Sequence, residues 1–460
     1  MLRRKVTNKL LTWKNSSNKA LLVTGARQIG KSYAIREFGK ANYSCFVEIN
    51  LLLDKSVKQA LAQALNATDF INCIALFSKK TLVENNTLIF VDEIQEYPEI
   101  VTLMKALVED GRYSYVFSGS MLGTEFKGIS SFPVGYVDQI VMRPMDFEEF
   151  CWAVGVSEQF LDQIRTRFIE RKPVEEYLHN DMMRNFRAYL VVGGMPEVVQ
   201  AYIDSKYSLA KIRKLQTLLV NQYSKDISKY AGNRAFEVRA IFDQIPLQLE
   251  GETHRFNLSA LEDSARMSKF HHDFLWLVNA GVALQVLRTS EARMPLKRTE
   301  QTSMFKLYES DTGMLVSRYP QSAARALYLD MKDPNFGGIY ENAIAQELAA
   351  AAIPLWYYQS DTVGEVDFLI EGKSGNVVPI EVKSGKKVRS HAALDRLVTI
   401  GEYKIKEALV LSRNNVSQEG RITYVPLYMS FCLAELTEAG EASEGEDDFT
   451  LAPAVPKPVH

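Results

Sequence analysis

Residues 20–32 read ALLVTGARQIGKS, a short apolar run that breaks at a glycine and ends in Lys31-Ser32. A run this short, closed by a turn signal, predicts a buried strand. The segment from Gly25 to Ser32 then fits the Gly-x4-Gly-Lys-Ser pattern in full. A helix is expected to start at Lys31 and reach about Phe38. The spacing has a chemical reason. Glycines let successive backbone N–H groups curl around phosphate oxygens, and the helix N-terminus turns its positive end toward the same anion. Gly25, Arg27, Gln28, Ile29, Gly30, Lys31, Ser32 and Tyr33 are therefore the expected nucleotide-binding residues. Lys31 is placed for the β- and γ-phosphates and Ser32 for Mg²⁺, so ATP and Mg²⁺ are the expected cofactors.

Working outward, residues 88–93 read LIFVDE, an apolar strand ending in two carboxylates. Asp92 suits the shell of a nucleotide-bound Mg²⁺, and Glu93 suits the polarisation of an attacking water. Residues 116–120 read VFSGS. Ser118 and Ser120 at the end of that strand are candidates for sensing the γ-phosphate, although serine and glycine also make plain turns. With runs at Cys45 to Ile49 and Tyr113 to Phe117, residues 20–150 alternate strands with helices. That alternation predicts a buried parallel sheet.

These motifs resemble a family of bacterial and archaeal AAA-type ATPases whose ATPase domain is followed by a C-terminal domain of unknown function. GARQIGKS, IFVDEIQEYP, FSGS and RPMDFEEF carry the resemblance first. YLVVGGMPEVV (189–199), KLYESDTGML (306–315), YENAIAQEL (340–348) and EVDFLI with IEVKSG extend it over nearly the whole chain. The resemblance implies ATP binding and hydrolysis. One departure stands out: the family has Gly-Arg after the sensor strand, whereas this chain has Gly135-Tyr136. Arg143, Arg27 and Arg112 are the other candidates for contacting phosphate.

The remainder divides by pattern into four parts: an ATPase domain at 1–150, a helical region at 151–303, a mixed region at 304–437 and an acidic, Pro-rich tail at 438–460 that is expected to be disordered. The order of elements from Phe256 to Val286 resembles a winged helix, with Lys269 to Val278 as its second helix. That helix carries few bases, which favours a packing role. His271 and His272 are adjacent on it and point in different directions, so they do not share an ion.

In the mixed region, Glu365-Val366-Asp367 lies on one expected strand and Glu381-Val382-Lys383 on the next. Alternate residues of a strand share a face, so Glu381 and Lys383 project together and Asp367 can join them. Glu341, on the preceding helix, can add a fourth group. The set resembles the core of restriction-endonuclease-like nucleases, where acids hold Mg²⁺ and the lysine helps activate water. A cross-strand ion pair accounts for the same pattern. Lys386, Lys387 and Arg389 follow as a basic run.

Composition limits the wider possibilities. The formal net charge of the 460 residues is -2, so there is no global basic field, and any DNA site must be a local patch. Four widely separated cysteines give no metal spacing and no disulfide framework, which suits a reducing, cytoplasmic setting. No signal-peptide core or membrane-length apolar run is present. The expected architecture is thus an α/β P-loop ATPase, a helical middle and an α/β restriction-endonuclease-like end. The expected activity is ATP hydrolysis that rearranges the other regions, with DNA, a protein partner or a second copy as possible partners. A nucleotide-gated interaction module and an ATP-regulated nuclease are the alternatives.

Overall fold

The computed structural model describes residues 2–120, 133–251, 253–262, 266–331, 336–385 and 388–438. Most of the acidic tail, and Lys386 and Lys387 of the basic run, lie outside these residues.

The first sheet holds β1 (Ala20–Thr24), β2 (Cys45–Asn50), β3 (Thr87–Asp92), β4 (Ser114–Ser118) and β5 (Val137–Val141). Their order is β2-β3-β4-β1-β5, and every neighbouring pair is parallel. The central strands are apolar on both faces because helices cover both, so β3 is buried at all six residues. Their C-terminal ends therefore lie on one edge of the sheet, which carries the loop after β1 and the acids after β3. The fifth strand, β5, has no counterpart in the sequence reading. It is a half-exposed edge strand carrying Asp138 and Gln139, and it lacks the apolar run that marks the others.

The helical region follows, with long helices at Glu176–Val192, Leu209–Tyr230 and Ala235–Leu249. The helix Met267–Asn279, expected from the winged-helix resemblance, leads into β6 (Ala283–Thr289) and β7 (Glu300–Glu309). These two strands form an antiparallel hairpin, but they belong to the C-terminal sheet. The boundary expected at residue 303 therefore falls inside β7. The change of pattern there marks a strand rather than a linker.

The C-terminal sheet adds β8 (Trp356–Ser360), β9 (Gly364–Gly372), β10 (Asn376–Val382), β11 (Ala408–Ser412), β12 (Ser417–Glu419) and β13 (Ile422–Pro426). Its order is β12-β13-β11-β10-β9-β8-β6-β7, with parallel and antiparallel pairs mixed. The helix Gly337–Ala350 packs on this sheet.

One apolar core runs through all three parts. It joins Leu21 and Phe90 of the first sheet to Phe186 and Ile241 of the helices and to Leu409 and Val425 of the last sheet. The segments that carry the family resemblance meet inside it. Met145 N donates to Gly194 O at 2.7 Å, and Met145 O accepts from Tyr189 Oη at 2.8 Å and Gln346 Nε2 at 3.3 Å. Gly194 N donates to Asp311 Oδ2 at 2.5 Å, and Phe147 N donates to Glu347 Oε1 at 2.8 Å. The glycines are needed for close approach. A Cβ on Gly194 would lie 2.0 Å from Met145 O, and one on Gly313 would lie 2.3 Å from Val192 O.

Candidate functional site

Residues 25–30 cross from β1 to the helix Lys31–Asn42. Three positive φ angles shape the crossing: Gly25 at 135°, Gln28 at 62° and Gly30 at 88°. At Gly25 a side chain is also excluded by space, since its Cβ would sit 2.3 Å from Met142 O. Lys31 is buried, and its ammonium donates to Gly25 O at 2.9 Å and Ala26 O at 2.7 Å. Burial pulls its pKa down to about 8 against the opposing charges of Glu93 and Asp92.

Asp92 ends β3 and is buried at the centre of a hydroxyl and amide cluster. Its Oδ2 accepts from Ser32 Oγ at 2.6 Å and from Asn50 Nδ2 at 3.4 Å. Its Oδ1 accepts from Ser118 Oγ and from Glu93 N at 3.0 Å. Glu93 has φ 58°, a left-handed value uncommon for a non-glycine residue, and its carboxylate accepts from Gln95 Nε2. Ser120 Oγ accepts from Arg27 Nε at 3.1 Å. The expected residues Lys31, Ser32, Asp92, Glu93, Ser118 and Ser120 are thus brought to one edge of the sheet.

The structure adds residues that the sequence reading did not assign. Asn50 ends the neighbouring strand β2 in register with Asp92. Gln95 lies two residues beyond Glu93 in the DEIQ stretch. From the helical region, Asp226 Oδ1 accepts from Arg27 Nη1 at 2.6 Å, Tyr230 Oη accepts from Arg27 Nη2 at 3.1 Å, and Gln222 Oε1 accepts from Gln28 Nε2 at 2.6 Å. No local spacing announces these three, which lie about two hundred residues from the loop. Beside Gly30 opens a cleft of about 690 Å³ whose lining includes Leu2, Arg4, Tyr33, Phe38 and Pro196.

The other arginines are also placed. Arg112 precedes β4, at the sheet edge away from the loop, where it pairs with Asp110 at 2.8 Å. It is therefore not a phosphate contact in this arrangement. Tyr136 precedes β5 on the same far edge, and its hydroxyl donates to Glu109 at 2.9 Å. An arginine there would face away from the loop of its own chain. Arg143 follows β5 on the loop side and is half-buried, its backbone oxygen bonded to Arg4.

At the C-terminal end, Glu341, Asp367, Glu381 and Lys383 also draw together. Lys383 Nζ donates to Glu381 Oε1 at 2.6 Å, and Val382 N donates to Asp367 Oδ2 at 2.8 Å. A residue not foreseen joins them: Lys306 of β7, with its ammonium 2.9 Å from Glu365, 3.2 Å from Glu341 and 3.5 Å from Asp367. Among the described residues no group of three or more His, Cys, Asp or Glu side chains is arranged to hold a metal ion. No helix among them is long and apolar enough to cross a membrane.

A glycine loop on a strand–helix crossing, a lysine and serine at its end, and a strand-terminal Asp-Glu together define a P-loop nucleotide site. Comparison with known families agrees. Residues 17–151 match the AAA domain family, so the chain carries an AAA-domain ATPase module. Residues 183–324 and 336–429 match two domains of unknown function, DUF8612 and DUF4143. No curated protein matches the chain. Similar solved structures include the Walker-type ATPase paby2304 of Pyrococcus abyssi, at 12% identity and TM-score 0.41 over 69% of this chain and 96% of that one. The RuvB Holliday junction branch migration motor of Thermotoga maritima is similar at 14% identity and TM-score 0.27, over 72% of this chain and 96% of that one.

Proposed function

We propose that this chain is a Mg²⁺-dependent ATPase whose phosphate loop passes the nucleotide state to the helical region. The observation that carries this reading is the grip of the helix Leu209–Tyr230 on the loop. That helix holds Arg27 through Asp226 and Tyr230 and holds Gln28 through Gln222. Tyr223 Oη donates to the backbone oxygen of Arg27 at 3.0 Å. A polyphosphate entering the loop brings negative charge beside Arg27 and competes with Asp226 for it. The ligand then interacts differently with the gripped and released states, which is the condition for shifting their populations.

The chemistry follows from the placed groups. Lys31 and the loop N–H groups bind phosphate, and Lys31 leaves its two carbonyl partners to do so. Ser32 and Asp92 offer two hard oxygen donors, 2.6 Å apart, which fit Mg²⁺. When bound, that ion supplies neutralisation of phosphate charge. Glu93, oriented by Gln95, takes the role of polarising water. The cleft beside Gly30, with Tyr33 and Pro196 in its walls, is assigned to the nucleotide base.

The test is ATP binding by calorimetry and phosphate release with Mg²⁺. The wild type is expected to bind and turn over ATP, and Lys31→Ala is expected to lose tight binding while keeping the fold. Equal affinity in the two proteins would remove the site assignment. A wild type that binds ATP and never hydrolyses it would leave a nucleotide-gated interaction module.

A further inference from the structure

Lys306 belongs to the KLYESDTGML stretch, which the nucleotide site does not use. It lies on β7, the end strand of the C-terminal sheet, while Glu365 and Asp367 lie on β9, three places along. The sheet curls enough for the Lys306 side chain to reach β9, and Lys306 is fully buried there. Buried ammonium groups persist only when paired and hydrogen-bonded, and this one has three carboxylates within 3.5 Å.

We infer that the ammonium of Lys306 is the resident cation of this carboxylate cluster, in the place where a restriction-endonuclease-like site would hold a divalent ion. Two observations support it. The first is occupancy of the donors. Glu341 Oε2 accepts from Tyr308 Oη at 2.7 Å and faces Lys306, while Glu341 Oε1 pairs with His254 at 2.9 Å. Asp367 Oδ1 faces Lys306 and Oδ2 takes the Val382 amide. Glu381 Oε1 takes Lys383. Glu381 Oε2 and Glu365 Oε2 have no hydrogen-bond partner, and Glu365 Oε2 faces Arg255 Nε at 3.7 Å. The cluster thus leaves two free oxygens, one of them against a guanidinium, where magnesium demands a full octahedron of oxygens. The second is charge balance. Glu341, Glu365, Asp367 and Glu381 are met by three cations, Lys306, Lys383 and Arg255. A divalent ion added to this set would have to sit against an ammonium that burial prevents from leaving. The cluster's work is then mechanical: it ties β7 and the helix Gly337–Ala350 to β9. The inference does not depend on the ATPase reading.

The experiment titrates Mn²⁺ into the full chain without nucleotide, in an Asp92→Asn background that removes the ion ligand at the phosphate loop. Binding is read by electron paramagnetic resonance of free Mn²⁺. With Lys306 intact, no saturable binding is expected into the millimolar range. Adding Lys306→Gln removes the ammonium at similar length and is expected to open one saturable site, lost again when Asp367→Asn and Glu381→Gln are added. Saturable binding with Lys306 intact that disappears in Asp367→Asn would overturn the inference, as would a folded Lys306→Gln chain that gains no site. If Lys306→Gln does not fold, the chain with Lys306 intact decides alone. Cleavage of plasmid DNA with Mg²⁺ or Mn²⁺, abolished by Asp367→Asn, would overturn it equally.

Discussion

Glu93, like Gln28, is a non-glycine residue of the nucleotide site held at a positive φ. Its left-handed φ aims the carboxylate away from the line of β3 and toward Gln95. Strain of this kind persists where surrounding structure enforces it, and it gathers at functional positions. Glu93→Gln keeps the size and removes the basic oxygen. ATP is expected to bind as before, with hydrolysis reduced on the order of a hundredfold or more. A phosphate-release assay beside a binding titration checks this, and an unchanged rate would take Glu93 out of the mechanism. That Lys31, Ser32 and Asp92 would meet was legible in the sequence because two short motifs, each at the end of an apolar strand, place them. Asn50 and Gln95 were not, because each acts on a neighbour through strand register or a local bend. A lone polar residue at a strand end looks the same whether or not its partner is a catalytic acid.

At the scale of elements, the junction between Gly193-Gly194, Met145 and Asp311 shows what the remaining family segments do. Gly194→Ala would drive a Cβ to 2.0 Å from Met145 O, and backbone atoms there cannot rotate away. A loss of about 1–3 kcal/mol in unfolding free energy is expected from such overpacking, measurable by denaturant titration. Glu347, at the same junction, gives a pH prediction. Burial, and then the charge of Asp146, raise its pKa to about 8. An acid whose folded pKa is raised contributes stability that is fully present below its unfolded value. That contribution is lost as pH rises through about 8. Asp311, raised to about 6 by burial, acts in the same direction over a narrower range. Tm should therefore fall between about pH 5 and 8. Glu347→Gln, which keeps an oxygen for Phe147 N and Tyr189 Oη, should flatten that fall. Identical profiles in the two proteins would show Glu347 to be charged in the fold. The strands of the first sheet were legible as apolar runs. By contrast β5, a polar edge, and the membership of β6 and β7 in the last sheet depend on long-range pairing that no window of sequence contains.

At the scale of the whole molecule, pattern changes along the chain suggested parts with cores of their own. The structure shows both: the first and last sheets each have a cluster of their own, and a further core runs through all three parts. The shared core was not legible because the sequence displays periodicity, whereas burial between regions is decided by faces that meet only after folding. Asp226 is an ordinary charged residue in sequence that reaches across regions in the fold to Arg27, and Lys306 is another whose partners Glu341, Glu365 and Asp367 lie on distant elements of its own region. Asp226 carries the last prediction. In the structure its carboxylate is 2.6 Å from Arg27 Nη1, and the pair is partly buried, so the contact is screened less than a surface pair would be. If phosphate and Asp226 compete for Arg27, removing the charge of Asp226 has two separable effects. ATP affinity should rise severalfold in Asp226→Asn, because binding no longer has to break an ion pair. The helix Leu209–Tyr230 should also lose its response to nucleotide. In wild type, ATP is expected to change the amide exchange of that helix, and in Asp226→Asn the exchange with and without ATP should coincide. Lys31→Ala supplies the control, since a chain that does not bind ATP tightly must show no change at all. A wild type whose helix exchanges identically with and without saturating ATP would show that the grip is a fixed part of the fold. An Asp226→Asn chain that keeps the full nucleotide response would show that the signal travels by another contact, of which the Tyr223 bond to the Arg27 backbone is the nearest.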